Sequence, residues 1–220
     1  MPKPLTDAPG RGMHVHMSLF NPEGDNLFFD PADPDGNNLS PLAKHFMAGL
    51  LKYAPEFCLI TNQNVNSYKR LTSRMEAPSQ IAWSSMNRST LVRVPAYKPN
   101  KEVACRVEIR NPDPAANPYL AFAVMLAAGL KGIEDELELP APVDDLDLFQ
   151  LDYRELKQRG IQTLPATLGE ALERFEGSAL MREVLGDHIF EYLLREKHRE
   201  WEEYRSVVSD WELNRYLEEL

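Results

Sequence analysis

From Met13 to Leu19 apolar and polar residues alternate without a break. Met13, Val15, Met17 and Leu19 fall on one side, and His14, His16 and Ser18 on the other. A period of two predicts a half-buried strand. A second run has the same form: Cys105, Val107 and Ile109 share one face, Arg106, Glu108 and Arg110 the other. Between them, Asn21 to Asn26 reads as a hairpin turn with Leu27-Phe28-Phe29 returning, and Asp30, Asp33 and Asp35 as a solvated turn whose spacing lacks the rest of a calcium loop. Ser40-Pro41 supplies an N-cap and a first helical residue, and Leu42, Phe46, Gly49, Leu50 and Tyr53 mark one face of a helix that Pro55 is expected to end. Thr61 to Leu71 reads as a polar, irregular connection, and Asn87 to Pro95 as a turn and a short strand. Asn117-Pro118 opens a helix that is apolar nearly all round from Tyr119 to Gly132, which predicts burial on every side.

The last third is helical in pattern. Pro140-Ala141-Pro142 marks a boundary, Asp144 to Asp152 an acidic loop, and Thr167-Leu168-Gly169-Glu170 a capping box before a helix with Leu168, Ala171, Leu172 and Phe175 inside. A long helix from about Asp187 carries Phe190, Leu194, Lys197, Trp201, Tyr204, Val208 and Trp211 at alternating threes and fours, predicting a packed stripe. Ser209-Asp210-Trp211-Glu212 starts a final helix.

Composition narrows the class. The 220 residues, 43% of them hydrophobic and 9% aromatic, can bury a sizeable core. Cys58 and Cys105 are flanked by apolar residues and read as buried thiols in a reducing compartment. The longest apolar run, Tyr119 to Leu130, is shorter than the roughly 20 residues of a membrane span, and the first residues lack the apolar core of a secretory signal, so no membrane partner and a cytoplasmic location are expected. A net charge of −10 disfavours nucleic acid. Nine basic residues against three acidic ones between Lys69 and Arg110 instead suit a small anion.

Two imidazoles on one strand face lie roughly 7 Å apart. They can grip opposite ends of one ligand, with a metal at one and a phosphate near the other, or be a pair of solvated histidines. Arg106-Val107-Glu108-Ile109-Arg110 can likewise be a plain ion network. The motifs taken together are more specific. Gly12-Met13-His14-Val15-His16-Met17-Ser18, Asn66-Ser67-Tyr68-Lys69-Arg70-Leu71, Glu76-Ala77-Pro78, Asn87-Arg88-Ser89, and Arg106 to Arg110 followed by Asn117-Pro118-Tyr119-Leu120, in this order, resemble the C-terminal part of type I glutamine synthetases.

The resemblance implies an α+β fold: a curved antiparallel sheet, part of the family's barrel, backed by helices in residues 1–140, with a helical region in 141–220. It implies ATP-dependent ligation of ammonia to the side chain of L-glutamate through a γ-glutamyl phosphate, with Mg²⁺ or Mn²⁺, in a homo-oligomer that in the family is a double ring of six. His14 and Glu108 match metal ligands. His16, Ser18, Arg93 and Lys101 match nucleotide contacts, Arg88 and Arg110 the clamp on the transferring phosphoryl group, Gly10, Arg70 and Arg110 the glutamate contacts, and Glu76 the carboxylate on the ammonia side. Pro9-Gly10 stands where the family has Asn-Gly, and Phe149 where some members carry a modifiable Tyr. The resemblance covers the later half of such an enzyme, so the 220 residues alone are expected to be inactive. Rival readings are a γ-glutamyl amine ligase, a non-catalytic assembly domain and a guanidino-kinase-like phosphotransferase.

Overall fold

Four short strands form the wall that carries the candidate chemistry. The computed structural model describes residues 1–72 and 77–217. Strands β1 (Val15–Met17), β2 (Trp83–Ser84), β3 (Val92–Arg93) and β4 (Val107–Ile109) lie in the order β1-β4-β3-β2. The expectation of a wholly antiparallel sheet needs correction: β1 and β3 flank β4 antiparallel, but β2 runs parallel to β3. Residues 85–91 make a side-chain-stitched loop instead of a tight hairpin, so the chain re-enters the sheet in the same direction. The α+β class stands.

The apolar positions read from the alternation face the helices. Val107, Ile109 and Cys105 are fully buried, with Met13, Val15, Met17 and Leu19 packed against them. Beneath lies α1 (Pro41–Thr61), capped by Ser40 with Pro41 at its first turn. It does not stop at Pro55. A proline inside a helix costs about 3 kcal/mol, but Phe57, Cys58, Leu59 and Ile60 beyond it are all buried, at roughly 1.5–3 kcal/mol for each large apolar side chain. Burial wins. The connection expected at 61–71 is also helical, as α2 (Val65–Thr72), because Ser67, Tyr68, Arg70 and Leu71 are its buried face. Two of those four are polar, so no apolar stripe announces the helix.

Helix α3 (Pro118–Glu134) starts at Asn117 and Pro118 as read. It is not buried all round: Tyr119 is 85% exposed, and Phe122, Leu126 and Leu130 about half exposed on the same ridge. Its inner face is Ala121, Val124, Met125, Ala128, Gly129 and Gly132. A Cβ on Gly132 would lie 2.7 Å from Gly49 Cα, and one on Gly49 2.8 Å from Gly132 Cα. Helices α1 and α3 therefore cross backbone against backbone.

The remaining helices are α4 (Tyr153–Gln158), α5 (Leu168–Glu176), α6 (Ala179–Arg205) and α7 (Asp210–Tyr216). Phe175 stacks on Phe190 at 4.5 Å, and both belong to the same core as Phe46 and Ile109. Helix α6 breaks at Gly186, whose φ of 72° and ψ of 155° are not helical, so the stretch expected from Asp187 is its second part. Phe190, Leu194 and Trp201 pack as the stripe predicts, but Val208 and Trp211 are each 65% exposed. The acidic turn is solvated as read except at its pivot: buried Asp33 accepts from the N–H groups of Asp35, Asn37 and Leu39 and pairs with Lys44 at 2.6 Å. Among the described residues no helix is long and apolar enough to cross a membrane.

The glycine crossing gives a direct test. Alanine in place of a helical glycine ordinarily gains about 1 kcal/mol. Gly132→Ala is expected to lose about 3 kcal/mol, because the new methyl group meets the opposing backbone, and the midpoint of chemical denaturation reads the difference.

Candidate functional site

Glu108 stands at the middle of the polar face of the sheet. Its cross-strand neighbours are His16 on β1 and Arg93 on β3. The carboxylate is almost wholly buried. His14 Nδ1 lies 2.9 Å from Oε1, Arg93 Nε donates to Oε2 at 2.7 Å, and Arg110 Nε approaches Oε1 at 3.8 Å. Burial alone would raise its pKa, but the His14 hydrogen bond and the charges of Arg93 and Arg110 hold it down at about 2. Glu108 is thus an anion, and His14 donates from Nδ1.

His16 sits beside the same carboxylate, its Nε2 3.9 Å from Oε1, while Arg106 Nε donates to its Nδ1 at 3.3 Å. Burial pushes its pKa below the ordinary value. Arg106, His14 and Arg93 push the same way, against Glu108. The imidazole is therefore neutral at pH 7. Ser18 follows on the same strand face, half-buried.

A cleft of about 600 Å³ opens next to this cluster. Gly10, Gly12, His14, Arg70, Arg88 and Arg110 line it, together with Asn87, Ser89, Asp147 and Phe149. Arg110 donates to the carbonyl of Arg88. Buried Arg70 donates to the carbonyls of Asn111 at 2.6 Å and Arg110 at 3.2 Å. The two glycines make room for it. A Cβ on Gly10 would lie 2.9 Å from Arg70 Cγ, and one on Gly12 2.6 Å from a terminal Arg70 nitrogen.

Five of the residues singled out from the sequence, Gly10, His14, Arg70, Arg88 and Arg110, thus share one hollow, with Glu108 and Arg93 beside it. Lys101 does not. It lines a separate depression with Lys98 and Arg106, and Arg106 links that depression to His16. Glu76 lies outside the described residues.

Gly12, Asn87, Ser89, Asp147 and Phe149 went unassigned as binding residues in the sequence. For Asn87 and Ser89 a signal existed in the polar pair around Arg88. Asn87 accepts from Ser89 N and donates to the carbonyls of Val143 and Leu146, while Leu148 N donates to Ser89 Oγ at 2.9 Å. Asp147 is the one carboxylate among the described residues lining the cleft, and nothing separates it from its acidic neighbours in the sequence. A second cavity, about 660 Å³, lies between α1 and residues 138–146 and 159–162, and none of the residues singled out from the sequence as site residues lines it.

The family model described as the catalytic domain of glutamine synthetase matches residues 1–216. The chain belongs to this family. It is 51% identical over 218 residues to the glutamine synthetase of Mycolicibacterium smegmatis and 48% identical over 217 to that of Methanosarcina mazei. Each alignment takes in 99% of this chain, and 48% and 47% of the relative. A solved GmaS–ADP complex superposes with a TM-score of 0.84 at 33% identity, over 99% of this chain and 48% of that one. The chain spans about half the length of the glutamine synthetases it matches.

The donor chemistry suits the divalent ion this family implies. An imidazole nitrogen and a carboxylate oxygen held 2.9 Å apart are donors such an ion takes, and Nδ1 would give up the proton it shares with Glu108 to bind one. Among the described residues no group of three or more His, Cys, Asp or Glu is gathered for an ion, so this pair would furnish two of about six ligands.

The depressed pKa of Glu108 fixes a sign for acid stability. A carboxylate whose folded value lies below its ordinary 4.5 stabilises the fold above that value and loses the contribution as pH falls toward about 2. The loss amounts to about 3 kcal/mol. Glu108→Gln is expected to flatten that part of the profile, as read from denaturation midpoints between pH 6 and pH 2.

Proposed function

We propose that this chain forms the glutamate- and phosphoryl-binding half of an active site at which the full-length protein joins ammonia to the side-chain carboxylate of L-glutamate, using ATP. The observation that carries the reading is the convergence of Arg70, Arg88 and Arg110 on one cleft beside the His14–Glu108 pair, in a member of this family.

Three guanidiniums suit a reaction between two anions. The glutamate carboxylate must approach the terminal phosphate of ATP against charge repulsion, and fixed cations in a partly water-excluded cleft lower that barrier without reorganising. Carboxylate oxygen attacks the terminal phosphorus and ADP leaves, giving an acyl phosphate; ammonia then attacks the acyl carbon and phosphate leaves. Arg110, whose backbone and side chain both touch the cleft wall, holds glutamate and the transferring group together. Arg88 takes the phosphoryl oxygens, for which its planar fork is matched. Arg70 and the open backbone at Gly10 receive the amino acid. Mg²⁺ or Mn²⁺ at His14 and Glu108 neutralises phosphate charge when bound. Neutral His16, Ser18, Arg93 and, across the Arg106 link, Lys101 face the nucleotide. Glu76 serves the ammonia side.

A second reading, ligation of an amine in place of ammonia, would use the same cleft, and the 51% identity to a named glutamine synthetase favours ammonia. The full-length protein is expected to form glutamine and phosphate only when ATP, glutamate and ammonia are all present. Arg110→Ala should lower kcat by roughly 10²- to 10³-fold. Coupled phosphate release over ammonia and a panel of alkylamines decides: a preference for an amine overturns the ammonia assignment, and no glutamate-dependent phosphate release overturns the ligase.

A further inference from the structure

Behind the cleft lies a polar cluster that the proposed reaction does not use. Asn62 caps the end of α1, and Asn111 and Asp113 follow β4; all three are completely buried. The Asn111 carbonyl has two lone pairs and both are engaged, one by Arg70 at 2.6 Å and one by Asn62 Nδ2 at 2.8 Å. Asn62 Nδ2 also donates to Asp113 Oδ2 at 3.0 Å. In return Asn111 Nδ2 donates to Asn62 Oδ1 at 2.8 Å and to Thr61 Oγ1 at 2.9 Å. Asp113 N donates to the Thr61 carbonyl at 3.1 Å, which closes the ring of contacts between helix end and strand end.

We infer that Asn62 and Asp113 are positioning residues that aim the Arg70 guanidinium into the cleft through the shared Asn111 carbonyl. This rests on the reading above, in which Arg70 receives the substrate amino acid. Arg70 lies on α2, is itself buried, and donates to the carbonyls of residues 110–112. Asn62 fixes the middle of that stretch against α1. Asp113 lies nearby as a negative charge that works against the burial of Arg70 and the repulsion from Arg110, burial being the larger effect. A carboxylate is bound well only when the guanidinium fork meets it in plane, and a misplacement of about 1 Å can cost 10²-fold. The cluster thus sets affinity for the amino acid while touching neither substrate.

The test uses the full-length protein with Asn62→Ala, Asp113→Asn and Thr61→Val. Asn62→Ala removes a donor from the Asn111 carbonyl, and Asp113→Asn keeps the shape, removes the charge and replaces one of the two acceptors that meet Asn62 Nδ2 and Ala115 N by a donor. Thr61→Val takes a hydroxyl out of the same cluster without touching that carbonyl. The first two are expected to raise KM for glutamate about tenfold, leaving kcat and KM for ATP within about twofold. Thr61→Val should lower the melting temperature with KM for glutamate unchanged. Wild-type KM values in Asp113→Asn, or an equal rise in Thr61→Val, overturn the inference. If Asn62→Ala does not fold, Asp113→Asn alone decides. A crystal structure of Asp113→Asn gives a readout independent of turnover: Arg70 displaced from the Asn111 carbonyl supports the role, and an unmoved guanidinium refutes it. Lack of glutamate dependence in the wild type would count against the ligase reading, while that structure would still decide the positioning role.

Discussion

A buried carboxylate needs partners, and at Glu108 that need organises the face of the sheet. Removing one partner from a buried ion pair typically costs 3–5 kcal/mol, although the intact pair adds little net stability. The consequence is geometric. His14 and Arg93 cannot drift from Glu108 without stranding its charge, and Arg110 stands 3.8 Å away, so side chains at the start of β1, in β3 and at the end of β4 are held together. These groups are also what a phosphate-handling site requires. The need to partner one buried charge thus fixes the side chains that the proposed chemistry would use.

The layer beneath works by different means. Helices α1 and α3 meet at Gly49 and Gly132 with no side chain between them, which gives the end of α1 a defined height under the sheet. Asn62 at that end reaches the strand exit at Asn111 and Asp113. Backbone contact sets the helix, the helix sets the polar cluster, and the cluster meets Arg70. Each step joins groups with little conformational freedom, so position is transmitted with little slack.

Alternation along Met13–Leu19 and Cys105–Arg110 was enough to find both strands and to say which side chains share a face, because period two is a strong signal even in strands of three residues. The caps at Ser40, Asn117, Thr167 and Ser209 were legible for a similar reason: an acceptor side chain before a helical run satisfies backbone donors locally. What escaped was decided at long range. Helix α1 continues through Pro55 because of what Phe57 to Ile60 bury against, and α2 hides because its inner face carries Ser67 and Arg70. The parallel placement of β2 depends on a loop tied to residues 143–148. Of the site, the motif residues were visible, whereas Asp147 joins them because the fold brings it to the cleft that Asn87 and Arg88, about sixty positions earlier, also line.

The bare ridge of Tyr119, Phe122, Leu126 and Leu130 on α3 has a bearing on colloidal behaviour. With a net charge of −10, molecules are kept apart by long-range repulsion. That repulsion acts over about 10 Å at 0.1 M salt and shrinks to about 3 Å at 1 M. Apolar attraction along the ridge is not screened. Added electrolyte therefore removes the force that separates these molecules and leaves the one that draws them together.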